Sequence, residues 1–381
     1  VKEQVDHRSG ETIFERWNSF SRVIAMPPVI RAPRLWGPSP RLPAIVVPQI
    51  WLNIDGDAGT VMFRFDGDPE SARFLSYDVT NLVYALRSGA RTAIVGVGGG
   101  RDVLSAWSFG SRDVTGVEMN PIFVDLLRQP GPFSRFAGLA GLKGVRLIND
   151  EARSWFARST ETFEVLQMSM ADTWAATGAG AFTLTENGLY TVEGWRTFLA
   201  RLDGHGLFSV SRWYEPDDVD ETGRMLSLAV ATLLESGISD PKAHLFVATS
   251  APVATLILSR APLSADEIAT LRRFCSEFAF QVLVSPDAEP TSTVLAGMVG
   301  ARDRATLERL TRGQDLDLSP PSDDRPFFFN LLPLDRPHLA LRYIGRNGVV
   351  GGNLMATLTL CVILLVSVAL VVVAIVVPLR G

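Results

Sequence analysis

Through the middle of the chain, short apolar runs alternate with stretches in which apolar residues recur at helical spacing. The runs 92–97, 113–118, 144–149, 163–168 and 206–212 read as strands, and 101–109, 120–128, 151–158 and 191–203 read as helices between them. This alternation predicts a parallel, doubly wound sheet, because each right-handed crossover lays its helix back onto the sheet. Farther along, helices 219–236 and 264–277 and strands 243–249, 253–259 and 280–284 are expected to finish it with an antiparallel edge. The predicted fold class is therefore α/β, with a doubly wound, mostly parallel, Rossmann-like sheet.

The flanks have a different pattern. Residues 11–24 read as a short structured start, and the prolines from Pro27 to Pro48 exclude a continuous helix, predicting extended cover over the domain. Segments 50–55 and 60–65 predict a β-hairpin around Asp55-Gly56, and Ser71 to Arg87 has helical periodicity with Ser71 in the capping position. From Leu354 to Val377 the chain runs 24 residues without a charge. As a helix this stretch extends roughly 36 Å, enough to cross a bilayer. The division expected is 1–70 as an extended and hairpin region, 71–333 as the α/β domain, 334–353 as a linker and 354–377 as a transmembrane helix. Starting at Val1 and stopping four residues after the apolar run, the chain reads as a piece of a longer membrane protein.

The first βα turn carries the most chemistry. Gly96, Gly98, Gly99 and Gly100 let backbone N–H groups approach a ligand, and Glu118 closes the next strand where an acid reaches a ribose diol. A dinucleotide fingerprint would require glycine at Arg101 or Val103, and no Lys-Ser or Lys-Thr follows to make a phosphate loop. An S-adenosyl ligand, a nucleoside without phosphates, is favoured. The competing reading is a turn whose glycines serve packing alone.

In open α/β sheets, ligands lie beyond the carboxyl ends of the strands. After the third strand, Asp150 stands either as an acceptor for an adenine amino group or as the cap of helix 151–158. After the fourth come Asp172, either the candidate catalytic acid or base or a loop aspartate satisfying nearby backbone N–H groups, and Trp174, which either stacks on a cation or fills the core. Glu186 and Tyr190 lead into the next helix and either line the same cleft or cap it. In Pro320–Asn330, Asp323 and Asp324 either face the cleft or pair with arginine to pin a loop over three phenylalanines.

Composition narrows the partners. The net charge of −5 and the absence of a basic stripe argue against nucleic acid, and 47% apolar content supports a large core. Cys275 and Cys361 build no disulfide framework, and His7, His205, His244 and His338 lack metal-ligand spacing, so no metal is expected. S-adenosyl compounds are cytosolic, which places the large domain on the cytoplasmic side of the inner membrane.

Taken together, Phe14-Glu-Arg-Trp-Asn-Ser-Phe-Ser-Arg22, Gly96-Val-Gly-Gly-Gly-Arg-Asp102, Asp172-Thr-Trp-Ala-Ala176, Glu186-Asn-Gly-Leu-Tyr190 and Asp323-Asp-Arg-Pro-Phe327 resemble the membrane-attached, spermidine-synthase-like proteins of bacteria. The likeness spans most of residues 11–333. It implies the class I S-adenosylmethionine-dependent methyltransferase fold, preceded by a small β-rich region and joined to membrane helices. It further implies a polyamine aminopropyltransferase-like transferase, with decarboxylated S-adenosylmethionine or S-adenosylmethionine as co-substrate and a small amine as acceptor, a homodimer being allowed. Asp78, in place of a Tyr-His-Glu-like signature, joins Trp174, Glu186 and Tyr190 as an implied substrate contact. The loop after the fourth strand departs from the aminopropyltransferase pattern: Gln167-Met-Ser169 stands where the first acid belongs, and Asp172 approximates the second. Methyl transfer is the alternative, with Arg101 meeting the donor's carboxylate, and a nucleoside-binding domain without catalysis is the third reading.

Overall fold

The computed structural model describes residues 12–19, 21–56, 58–171, 186–216, 219–333, 335–336, 338–339 and 349–379. A small antiparallel sheet comes first: β1 (Phe14–Trp17), β2 (Arg22–Ala25), β3 (Val29–Arg31), β4 (Val47–Ile54) and β5 (Ala58–Phe63). Strands β4 and β5 form the expected hairpin, in the register Ile54↔Ala58 to Gln49↔Phe63. The proline-rich stretch is extended and contributes the three residues of β3 and the first two of β4. Residues 71–87 differ from expectation. They lie in two 3₁₀ segments, Pro69–Tyr77 and Val79–Ala85, capped by Asp68 and Asp78 rather than Ser71. Asp78 ends the first segment in an extended conformation while its side chain accepts from Thr80 N, so one buried carboxylate divides the two.

The central sheet has eight strands. Its parallel part comprises β6 (Thr92–Val95), β7 (Val114–Glu118), β8 (Val145–Asn149), β9 (Phe163–Ser169) and β10 (Leu202–Trp213). Beyond β10 lie β12 (Val253–Ser259), β11 (Leu245–Ser250) and β13 (Gln281–Val284), each antiparallel to its neighbour. The spatial order is β13-β11-β12-β10-β9-β6-β7-β8. The chain winds outward from β6 to β8 and then returns to the other side of β6 with β9. This reversal is a topological switch point, where a crevice opens at the carboxyl ends of the strands. A parallel run closed by an antiparallel neighbour of β10 is the class I methyltransferase architecture.

Helices α1 (Arg101–Ser108), α2 (Pro121–Arg128), α3 (Pro132–Ala137), α4 (Ala152–Arg158), α5 (Val192–Leu199), α6 (Glu221–Glu235), α7 (Ala265–Phe278), α8 (Thr293–Gly300) and α9 (Arg304–Arg312) follow their strands. Two apolar clusters lie against the sheet. One joins α4, α5, α6, α8 and residues 316–332, and the other joins the small sheet, the 3₁₀ segments, α1, α2 and α7. An apolar helix, α10 (Val349–Val371), ends the described chain and runs on to Leu379.

Candidate functional site

The turn between β6 and α1 sits at the switch point, and its N–H groups are spent within the protein. Gly96 N donates to Val117 O at 2.9 Å, Val97 N and Gly98 N each donate to Glu118 Oε2 at 2.9 Å, Gly99 N donates to Thr60 Oγ1 at 3.2 Å, and Gly100 N returns to Val97 O at 2.9 Å. The sequence suggested bare amides facing a ligand, whereas these amides bind the chain itself. The glycines make room for the N-terminal hairpin. A Cβ on Gly99 would stand 2.4 Å from Val61 O, and one on Gly98, whose φ is +50°, would stand 2.9 Å from Thr60 Oγ1.

Glu118 ends β7 within this frame, 8% exposed. Besides the two turn amides on Oε2, its Oε1 accepts from Asn120 N at 2.8 Å. Burial pushes its carboxyl up from the ordinary range, and the backbone N–H groups of Gly98, Asn120, Val97 and Met119 pull it back only in part. The turn amides and this acid are thus bound to one another and to the hairpin. Asn120 Nδ2 donates to Ser21 Oγ and its Oδ1 accepts from Asn18 Nδ2, which pins the Phe14–Arg22 motif beside this acid.

Below the turn lies a buried polar network. Arg101 donates to Asp78 Oδ2 at 2.8 Å and to Asp102 Oδ1 at 2.7 Å, and all three side chains are nearly inaccessible. Asp78, expected at the substrate, is fully enclosed and holds Trp36 N, Gly37 N and Thr80 N as well. Burial pushes the Asp102 carboxyl up, opposed first by Arg101 and then by a hydrogen bond with Ser169. Gln167 lies in β9, donating to Thr80 O and accepting from Tyr84 Oη at 2.7 Å. The network thus ties the small sheet, α1 and the end of β9 together.

At the carboxyl end of β9, Met170 adopts a left-handed φ of +52°, a strained value for a side-chain-bearing residue. Asp172 and Trp174, which follow Ala171 in sequence, lie outside the described residues. Tyr190 is fully buried, and its hydroxyl donates to Ala171 O at 2.8 Å. Its ring stacks on Phe328 at 4.5 Å. Arg212, fully buried on β10, donates to Glu221 Oε2 at 2.7 and 3.0 Å, with Tyr190, Phe328 and Phe329 around its guanidinium. Glu186 is exposed, and Asn187 N donates to Pro326 O.

Residues 316–333 form a strap under this corner. Asp323 takes a bidentate contact from Arg153 at 2.7 and 2.6 Å and another from Thr191 Oγ1 at 2.8 Å, while its own N donates to Glu193. Arg224 donates to the carbonyls of Ser319, Phe328 and Asn330. The pinned-loop reading of the Asp-Asp-Arg-Pro-Phe motif is the one this geometry matches. Asp150 accepts from Glu151 N and pairs with Arg158, while Glu151, not Asp150, caps α4.

Sequence reasoning missed the Arg212–Glu221 pair, the Asp102–Ser169 contact and Thr60 on the glycine turn. Only the charge that ends an apolar strand, Arg212 between Ser211 and Trp213, could have signalled buried pairing.

Among solved structures, the chain is similar to spermidine synthase from Thermotoga maritima, with 12% identity over 69% of this chain and 78% of that one and a TM-score of 0.42. Spermidine synthase in complex with the transition-state analogue AdoDATO matches with 11% identity over the same shares, at a TM-score of 0.42. Human methyltransferase-like protein 13 in complex with SAH matches at 12% identity over 54% of this chain and 88% of that one, at a TM-score of 0.36. At such scores the superpositions carry no argument, and the fold rests on the chain's own strand order. No protein-family model matches the sequence, and a search of curated proteins finds no match.

Proposed function

We propose that the chain is a transferase that binds an S-adenosyl nucleoside at the switch point and passes an aminopropyl group from decarboxylated S-adenosylmethionine to a small amine. The observation that supports this reading best is Glu118, a buried acid closing the strand next to β6 at the switch point and oriented by backbone N–H groups, the place at which an acid reaches a ribose diol in a βα unit. The donor, when bound, supplies a carbon activated by a sulfonium leaving group. Glu118 orients the sugar. Asp172, three residues after Ser169 in sequence, takes the proton of the attacking ammonium, whose pKa near ~10 otherwise leaves no lone pair to react. Trp174 and Glu186 belong to the acceptor side of this proposal, and Asp150 to the adenine side.

Methyl transfer from the carboxylated donor called for Arg101 at that carboxylate. With Arg101 held between Asp78 and Asp102, the decarboxylated donor is the better supported choice. The known ligands of the similar structures, AdoDATO and SAH, suggest the probes. Calorimetry is expected to show an S-adenosyl ligand bound by the wild type and weakened about 10- to 100-fold in Glu118→Gln, the value of one or two hydrogen bonds to a charged group. Equal affinity in the two proteins would remove Glu118 from the site. With putrescine as acceptor, Asp172→Asn is expected to slow product formation while donor binding persists.

We also place the chain at the inner membrane through its C-terminal helix, with the large domain on the cytoplasmic side. Thr357–Leu379 is long and apolar enough to cross, with a mean hydropathy of 3.5.

A further inference from the structure

The C-terminal helix lies in two environments. Leu354 is 1% and Thr357 3% exposed, and Leu354 belongs to the apolar cluster that holds Tyr190, Phe328, Phe329 and Leu331, with Leu358 packed on it. Beyond Leu360 the helix faces outward, with Val362, Leu365, Leu370 and Val373 all more than half exposed. Thr359 to Leu379 carries no charged residue and no polar face. A helix apolar all round is stable only where every side is covered by apolar material. A second copy of the chain would cover one side, whereas lipid covers them all. The length agrees: these residues span about 32 Å as a helix, against a hydrocarbon core of about 30 Å.

We propose that this helix is docked rather than tethered: Leu354, Thr357 and Leu358 are part of the globular core, the bilayer begins at about Thr359, and the domain is seated directly on the membrane surface. The inference rests on the membrane-span reading above. It adds a fixed distance between the bilayer and the strap beneath Tyr190 and Arg212, because Leu354 and Leu331 share one packed cluster.

The native chain carries its own probe. Cys361 is exposed, whereas Cys275 is 1% exposed and burial pushes its thiol up to about 12, so a maleimide nitroxide at neutral pH is directed to Cys361. In phosphatidylcholine–phosphatidylglycerol vesicles the label is expected to relax faster with oxygen than with a water-soluble nickel chelate. A label at Leu370→Cys, in a Cys361→Ser background, should be deeper. In the same vesicles, Leu354→Ala is expected to lower the unfolding midpoint by several degrees, as a core truncation does, with Leu370→Ala within a degree of wild type. A lipid-exposed label combined with a silent Leu354→Ala would overturn docking and leave the span reading standing. A water-exposed label at Cys361 would overturn both. Equal destabilisation by Leu354→Ala and Leu370→Ala would mean protein rather than lipid covers the outer turns, and the proposal would fail.

Discussion

Gly99 is the residue at which the first βα turn reveals its use. Its missing Cβ admits Val61 O rather than a ligand, so Gly99→Ala is expected to destabilise the fold by roughly 1–3 kcal/mol, the usual cost of overpacking. A thermal melt checks this, and an unchanged midpoint would show that the hairpin can withdraw without penalty. Asp220, the cap of α6, is 1% exposed, and its Oδ2 lacks a hydrogen-bond partner among the described residues. Burial, then Glu221 and then Glu215, push its carboxyl well up. The unfolded chain therefore ionises first, and stability is lost as pH rises from the ordinary carboxylate range toward the raised value. Asp220→Asn removes that slope while keeping the capping oxygen. Its midpoint is expected to exceed the wild type's by a margin that widens from pH 4 to pH 8.

Elements are joined by a few charged clamps, of which the strap is the clearest case. Arg153 and then Thr191 hold the Asp323 carboxyl below its usual range. A depressed carboxylate contributes stability above its unfolded pKa and loses it as pH falls through the folded value. Because the Asp323 side chain is 44% exposed, solvent screening limits the pair to about 1 kcal/mol or less. Asp323→Asn should lower the melting midpoint slightly at pH 7, by a margin that shrinks as pH falls below the ordinary carboxylate range and the wild type loses the charge. Limited proteolysis should then cut within 316–333 sooner in the variant. The two 3₁₀ segments make a related point, since Asp78 interrupts an otherwise helical stretch by accepting hydrogen bonds from Trp36, Gly37 and Thr80.

Over the whole molecule, the small sheet and the α/β domain share one apolar cluster and one buried polar network. Both are expected to unfold together. Calorimetry should show one transition, with the hairpin amides of β4 and β5 exchanging at the same rate as those of β6 and β7. Early exchange confined to the hairpin would mean the two regions are only loosely joined.

The periodicities of residues 92–213 were enough to predict the alternating strands and helices, because a strand buried on both faces and an amphipathic helix have patterns set by geometry alone. Gly96 to Gly100 and Glu118 likewise marked the turn between β6 and α1 and the end of β7, since a glycine turn and a strand-ending acid fall at fixed intervals in a βα unit. The partners of those residues were decided in three dimensions. Whether Gly99 N meets a ligand or Thr60, whether Arg101 faces a donor or Asp78, and whether Asp323 faces a cleft or Arg153 depends on residues 23 to 170 positions apart. Spacing along the chain sets which side chains share an element. Only packing sets which elements meet, and a buried charge or N–H group bonds to whatever polar group that packing brings within reach.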